Sequence, residues 1–177
     1  MKKFIALILL LLLLLCATPS PAYAGRADTL SLQIRITRGE RSKDSNASTI
    51  ELSLSGRKLS YRTLPGRRMG GRAVAPREFQ LTSDDERKLI KLIAERNLLR
   101  SDSIEREQEE SGIYFYFGLS LKTVLNGKEG LIQLKGSRKA NALKDEKLYQ
   151  DAVALIEEIY RIMGRADSGI VYEPLIN

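Results

Sequence analysis

Apolar and polar residues alternate most clearly between residues 113 and 135. Two β-forming runs flank Asn126-Gly127, the pair best suited to a type I′ turn, so the segment is predicted to be a β-hairpin. A two-residue loop fixes the register and opposes Leu121 to Ile132 and Leu119 to Leu134. These leucines and their partners then share one apolar face. The other face is predicted to carry Tyr114, Tyr116, Ser120, Lys122 and Gln133.

Further strands are indicated before residue 82. Residues 30–37 alternate as a half-buried strand, and 49–55 and 58–63 continue as a second and a third. Residues 64–76 contain three glycines, two prolines and three arginines, and are predicted to be a mobile basic loop. A short strand is expected near residues 78–81.

Helical periodicity begins after this strand. The sequence Thr-Ser-Asp-Asp-Glu at 82–86 indicates a helix start, with Ser83 and Glu86 as the predicted capping box and an end near Asn97. The acidic segment 101–111 is predicted to be an exposed loop.

A second helix is predicted over residues 143–163, where apolar residues follow the helical period. Gly164 stands where a C-terminal capping glycine belongs. For the tail, 165–177, two alternatives remain open: pairing along a sheet edge, or no packing. Residues 25–177 are thus predicted to be a single α+β domain, with an antiparallel sheet of five to six strands and two helices packed on one face.

The N-terminus has the features of a secretory signal peptide. Met-Lys-Lys precedes an apolar run over 4–15 and a small-x-small site at Ala22-Tyr23-Ala24, so residues 1–24 are predicted to be removed on export to the bacterial periplasm or medium. A membrane span needs about 20 apolar residues, more than this run supplies. The alternative is a lipoprotein anchored at Cys16, which Leu15 disfavours because a small residue usually precedes the lipidated cysteine.

Two residue types limit the possible chemistry. Histidine is absent, and the only cysteine is Cys16, inside the predicted signal peptide. Ser-His-Asp triads, Cys-His nucleophiles and ordinary zinc sites are therefore excluded. Carboxylate enzymes and calcium sites remain possible, but no paired acids and no calcium-loop spacing are found. We predict a non-enzymatic protein with no metal site and no cofactor.

The charge is uneven along the chain. The formal net charge is +7, and residues 25–82 hold 12 Lys/Arg against 5 Asp/Glu. This excess suits an anionic partner such as lipid headgroups, polysaccharide or an acidic protein, and the predicted export argues against nucleic acid. The alternative explanation of the charge is solubility alone.

Two groups of residues are candidates for binding. Arg67, Arg68 and Arg72 in the basic loop, with nearby glycine amides, could hold a sulfate, phosphate or carboxylate; the alternative is a solvated loop. On the open sheet face, Tyr114, Tyr116 and Arg35 are of the types that dominate binding hot spots, although tyrosine is also simply common in strands.

Three short motifs resemble those of emfourin-type inhibitors of thermolysin-like metalloproteases. They are Ile-Arg-Ile-Thr-Arg-Gly at 34–39, Leu-Thr-Ser-Asp-Asp-Glu at 81–86 and Tyr-Phe-Tyr at 114–116. The resemblance implies a periplasmic protease inhibitor and assigns no inhibitory residue. The first hypothesis is nevertheless an exported binding module that meets a protein or anionic partner through arginines and tyrosines, with the inhibitor as the alternative.

Overall fold

The computed structural model describes residues 28–41, 46–66, 74–106, 114–136 and 141–174. The predicted signal peptide, the centre of the basic loop and the last three residues of the tail lie outside these ranges. The side chains of Tyr114 and Phe115 are likewise not described, although their backbone is.

One sheet of seven strands organises these residues, in the order β4-β3-β2-β1-β6-β7-β5. The strands are β1 Leu30–Arg41, β2 Asn46–Ser55, β3 Lys58–Leu64, β4 Arg77–Gln80, β5 Ser101–Arg106, β6 Tyr114–Leu125 and β7 Lys128–Gly136. The helices are α1 Ser83–Glu95, a short α2 Asn141–Lys144, and α3 Lys147–Ala166. Within the described parts of the chain, no helix is long and apolar enough to cross a membrane.

The predicted hairpin is confirmed. Asn126 and Gly127 have φ angles of 52° and 80°, as a type I′ turn requires, and Leu121 opposes Ile132 in the ladder. On the predicted apolar face the described side chains are buried: Phe117, Leu119, Leu121, Ile132 and Leu134. They pack with the apolar residues of β1–β3 and of the two long helices in one core.

The sheet is larger than predicted, and it is mixed. Segment 101–106 is the strand β5, not an exposed loop, and it pairs in parallel with β7. Its many charged residues led to the prediction of a loop. They are explained by the position of β5 at the edge of the sheet, where charged side chains are common because they discourage further strand pairing. Ile104 alone is half-buried in it. The α+β class is confirmed; the antiparallel sheet of five to six strands was too small.

The capping box of the first helix lies one residue earlier than predicted. Thr82 is the N-cap, and its hydroxyl accepts from the Asp85 amide at 3.1 Å while the Asp85 carboxylate accepts from the Thr82 amide at 3.2 Å. The predicted pair Ser83 and Glu86 also fits the pattern in sequence, so the prediction was wrong by one position. Burial decides between them, because Asp85 is buried and Glu86 is only half-buried.

The second helix and the tail also differ from the predictions. The helix is interrupted after Lys144, and α3 continues through Gly164 to Ala166, so Gly164 is not the cap. Residues 167–174 form no strand. They fold back over the core, where Ile170 is buried and the Tyr172 ring meets the Tyr160 ring edge-on at 5.4 Å.

Candidate functional site

The face of the sheet opposite the core presents polar side chains from adjacent strands. Arg35 on β1 lies opposite Ser120 on β6, and its side chain is 63% exposed. Tyr116 is on the same face of β6, and it is half-buried. Two of the predicted binding residues are therefore on neighbouring strands of one surface.

Tyr116 lies along its own strand, over Gly118. A Cβ atom added to Gly118 would lie 3.0 Å from Tyr116 Oη and 3.4 Å from two ring carbons. The absence of a side chain at Gly118 thus lets the ring rest close to the backbone. On the two strands beside Gly118 are Thr37 and Lys135. Together with Arg35 these residues line a shallow depression of about 230 Å³, which we call the open-face site.

The cation at Arg35 is only weakly paired. Its Nε is 3.9 Å from Glu51 Oε1, while Arg62 donates from Nε to Glu51 Oε2 at 3.0 Å and also contacts that oxygen through Nη2. Glu51 is thus bound mainly by Arg62, and an exposed pair at 3.9 Å contributes little. Arg35 therefore keeps most of its charge available to another anion.

Lys135 completes the basic side of the open-face site. Its Nζ is 3.5 Å from Glu105 on β5, and both side chains are about half exposed, at 48% and 57%. Such a contact is weak in water and is weakened further by salt. Neither Lys135 nor Gly118 is among the binding residues predicted from the sequence. The signal for Gly118 was a glycine inside a strand, which often marks a close approach; Lys135 became part of the site only through the pairing of β6 with β7.

The remaining predicted residues are not brought to this site by any described contact. Arg67, Arg68 and Arg72 fall in residues 67–73, outside the described ranges. The backbone of Tyr114 pairs with that of Arg41 at the end of β6.

Buried carboxylates elsewhere stabilise the fold. Burial by itself would raise the pKa of Asp85, but hydrogen bonds from Thr82 and Arg165 outweigh it and hold the pKa below its ordinary value of 3.8. The Asp151 carboxylate, which is 1% exposed, accepts from Lys147 Nζ at 2.9 Å and from Arg96 Nη1 at 3.2 Å. Among the described residues, no group of three or more acidic, cysteine or histidine side chains could hold a metal ion.

Comparison with known proteins gives no family assignment: no protein-family model matches the chain, and no curated protein matches it.

Proposed function

We propose that the protein is an exported, non-enzymatic binding module that takes an anionic partner on the open-face site. The partner chemistry is a surface with repeated negative charge, as in an acidic polysaccharide or a layer of anionic lipid headgroups. The observation that carries this proposal is the position of the Tyr116 ring over Gly118, with Lys135 and the weakly paired Arg35 beside it.

Both the charge and the shape of the open-face site favour an anionic partner. An aromatic ring held close to a strand offers apolar contact at low entropic cost, since tyrosine has few rotatable bonds. Arg35 and Lys135 attract an anionic partner over a distance, before the two surfaces touch. Tyr116 is half-buried, so part of its surface can contact the partner. Arginine and tyrosine are also both enriched at binding hot spots.

The test measures binding of the protein to dextran sulfate and, separately, to phosphatidylglycerol vesicles over a series of salt concentrations. We expect binding to one of these probes that weakens steeply as salt rises, because exposed charges are screened within about 10 Å at 0.1 M. The double variant Arg35→Ala/Lys135→Ala should lose about tenfold or more in affinity. Arg87→Ala on α1, an exposed cation paired with Asp84, is the matched control and should bind normally.

A second variant tests the aromatic part of the site. In Gly118→Ala the new methyl group would lie 3.0 Å from Tyr116 Oη, so this flexible side chain must move by a few tenths of an ångström, which it can do without unfolding the protein. We expect weaker binding at nearly unchanged thermal stability. Salt-independent binding, or full binding by Arg35→Ala/Lys135→Ala, contradicts the proposal. If alanine at Arg67, Arg68 and Arg72 alone abolishes binding, the basic loop is the site instead.

A second candidate function is the inhibition of a thermolysin-like metalloprotease. It is favoured by one observation: two of the three motifs that carry the resemblance are neighbours, since Gly39 of the first opposes Tyr116 of the third. Titration of thermolysin with the protein would then give a stoichiometric loss of activity, unaffected by moderate salt. Full protease activity at micromolar protein rules this function out.

A further inference from the structure

A cavity of about 450 Å³ lies on the core side of the sheet, away from the open-face site. One wall is formed by β1, β2 and β3, through Ile36, Ile50 and Tyr61. The other comes from Tyr160 near the end of α3 and from Ile170 in the segment that follows it. Its size is in the range of small-molecule sites, which run from about 300 to 1,000 Å³.

Arg38 lines this cavity, and one of its N–H groups has no hydrogen-bond partner among the described residues. Arg38 alternates in phase with Ile34 and Ile36, so its side chain turns toward the core side and is only 17% exposed. Nη2 donates to the Glu173 backbone carbonyl at 3.1 Å. The buried Nε has no hydrogen-bond partner among the described residues.

The nearest described carboxylate to Arg38 does not complete these bonds. Glu173 Oε2 is 3.7 Å from Arg38 Nη1, beyond hydrogen-bond distance, and the Glu173 side chain is 82% exposed. Arg38 Nη1 therefore lacks a hydrogen bond to this carboxylate, and a ligand carboxylate in the cavity would gain a charge-assisted one there. The Nε–H is enclosed and costly to leave unpaired, and it reaches the ligand once the guanidinium shifts slightly. The two other arginines that line the cavity are already paired: Arg77 donates to Asp167 at 2.8 Å, and Arg62 donates to Glu51 at 3.0 Å.

The walls suit the body of an organic ligand. The accessible apolar lining comes from the half-buried Ile50 and from the exposed Val74 and Val171, and the Tyr61 and Tyr160 rings meet edge-on with centroids 6.2 Å apart. Burial, more than the neighbouring Tyr61, raises the pKa of Tyr160. Its hydroxyl therefore stays neutral and does not repel an anion.

We propose that this cavity binds a small organic carboxylate with an apolar body, whose head group pairs with Arg38. A single planar guanidinium matches one carboxylate through two parallel hydrogen bonds, whereas a phosphate dianion would need a second free cation. Glu173 occupies the neighbouring position with the same chemical group, so the ligand competes with the tail for Arg38. Because Arg38 and Arg35 are on opposite faces of the sheet, this proposal is independent of the open-face site.

The test uses octanoate, with octanol as its uncharged counterpart and inorganic phosphate as a second anion. Binding is followed by titration calorimetry and by the NMR resonance of the Arg38 Nε–H. We expect octanoate to bind and to shift this resonance, while octanol and phosphate bind at least about tenfold more weakly.

Three variants separate the roles of the charged residues. Arg38→Gln should lose octanoate affinity by about tenfold to a hundredfold. Glu173→Gln removes the competing carboxylate and should bind roughly twofold to fivefold more tightly. Arg87→Gln on α1 is the matched control: Arg87 is an exposed cation outside the cavity, paired with Asp84, and affinity should stay within about twofold of wild type.

The proposal is overturned if octanoate leaves the Arg38 Nε–H resonance unchanged at millimolar concentration, or if octanol or phosphate binds as tightly. Wild-type affinity in Arg38→Gln also overturns it, as does an equal loss in Arg87→Gln. A second substitution at the same position, Arg38→Lys, keeps the positive charge but lacks the Nε–H and the planar arrangement of donors. It should bind more weakly than wild type, and unchanged binding by this variant contradicts the assignment.

Discussion

Gly130 at the start of β7 lies directly against the backbone of Leu99, in the turn that leads from α1 into β5. A Cβ atom added to Gly130 would be 2.6 Å from the Leu99 carbonyl carbon and 2.7 Å from its Cα. The next residue, Leu131, donates its amide to the Arg100 carbonyl at 3.1 Å. This close approach sets β5 beside β7 and so allows the parallel edge strand.

Gly130→Ala should therefore destabilise the protein. The contact atoms belong to backbone, so the clash is relieved only by moving the turn or the strand, at a cost of roughly 1–3 kcal/mol. Chemical denaturation measures the change in unfolding free energy. Gly56→Ala is the comparison: Gly56 has a φ of 58° but open space around it, so the cost should be about 1 kcal/mol. An equal cost in both variants would show that contact with Leu99 is unimportant.

The helix cap gives a prediction that distinguishes adjacent residues. Thr82→Ala removes the hydroxyl that accepts from the Asp85 amide and should cost about 1 kcal/mol of unfolding free energy. Ser83→Ala removes a hydroxyl that accepts a solvent-exposed hydrogen bond from Arg57, and it should cost less than about 0.5 kcal/mol of unfolding free energy. Thermal denaturation of the two variants side by side measures the difference. A larger loss of stability in Ser83→Ala than in Thr82→Ala would show that Ser83 is the N-cap, as predicted from the sequence.

The carboxylate of Asp85 should make stability depend on acid pH. Its folded-state pKa is below 3.8, the ordinary value, because hydrogen bonds from Thr82 and Arg165 outweigh burial. The stabilisation is complete above the unfolded pKa and is lost as pH falls through the lower folded pKa. Asp85→Asn should cost roughly 2 kcal/mol at neutral pH and flatten the fall in stability below pH about 4. Urea denaturation across pH tests this, and an unchanged acid profile would contradict it.

The stability of the fold around the buried Asp151 carboxylate should depend on both of its cationic partners together. Lys147 and Arg96 are 74% and 43% exposed, so losing either one leaves the buried carboxylate with a partner. Each alanine variant alone should cost less than about 1 kcal/mol. The double variant should cost about 1–3 kcal/mol more than their sum, because it strands a buried charge. In an Asp151→Asn background the excess should disappear; its persistence would locate the coupling elsewhere.

The pattern of one segment determined the hairpin, because both of its specifying features are local. Asn126-Gly127 sets the turn and alternation sets the faces, so the register of Leu121 with Ile132 follows without any distant contact. For the same reason, the positions of Arg35 and Tyr116 on the polar face could be predicted.

Contacts between distant parts of the chain decided the rest. The charged segment 101–106 forms a strand only because it can pair with β7 next to the turn at Leu99. Asp85 is the acidic residue of the capping box because Arg165, 80 residues away, donates a hydrogen bond to its carboxylate. The cavity at Arg38 likewise exists only when residues 167–174 fold back over the sheet. Sequence periodicity specifies which face of an element is apolar, but the partner that covers that face is chosen by packing in three dimensions.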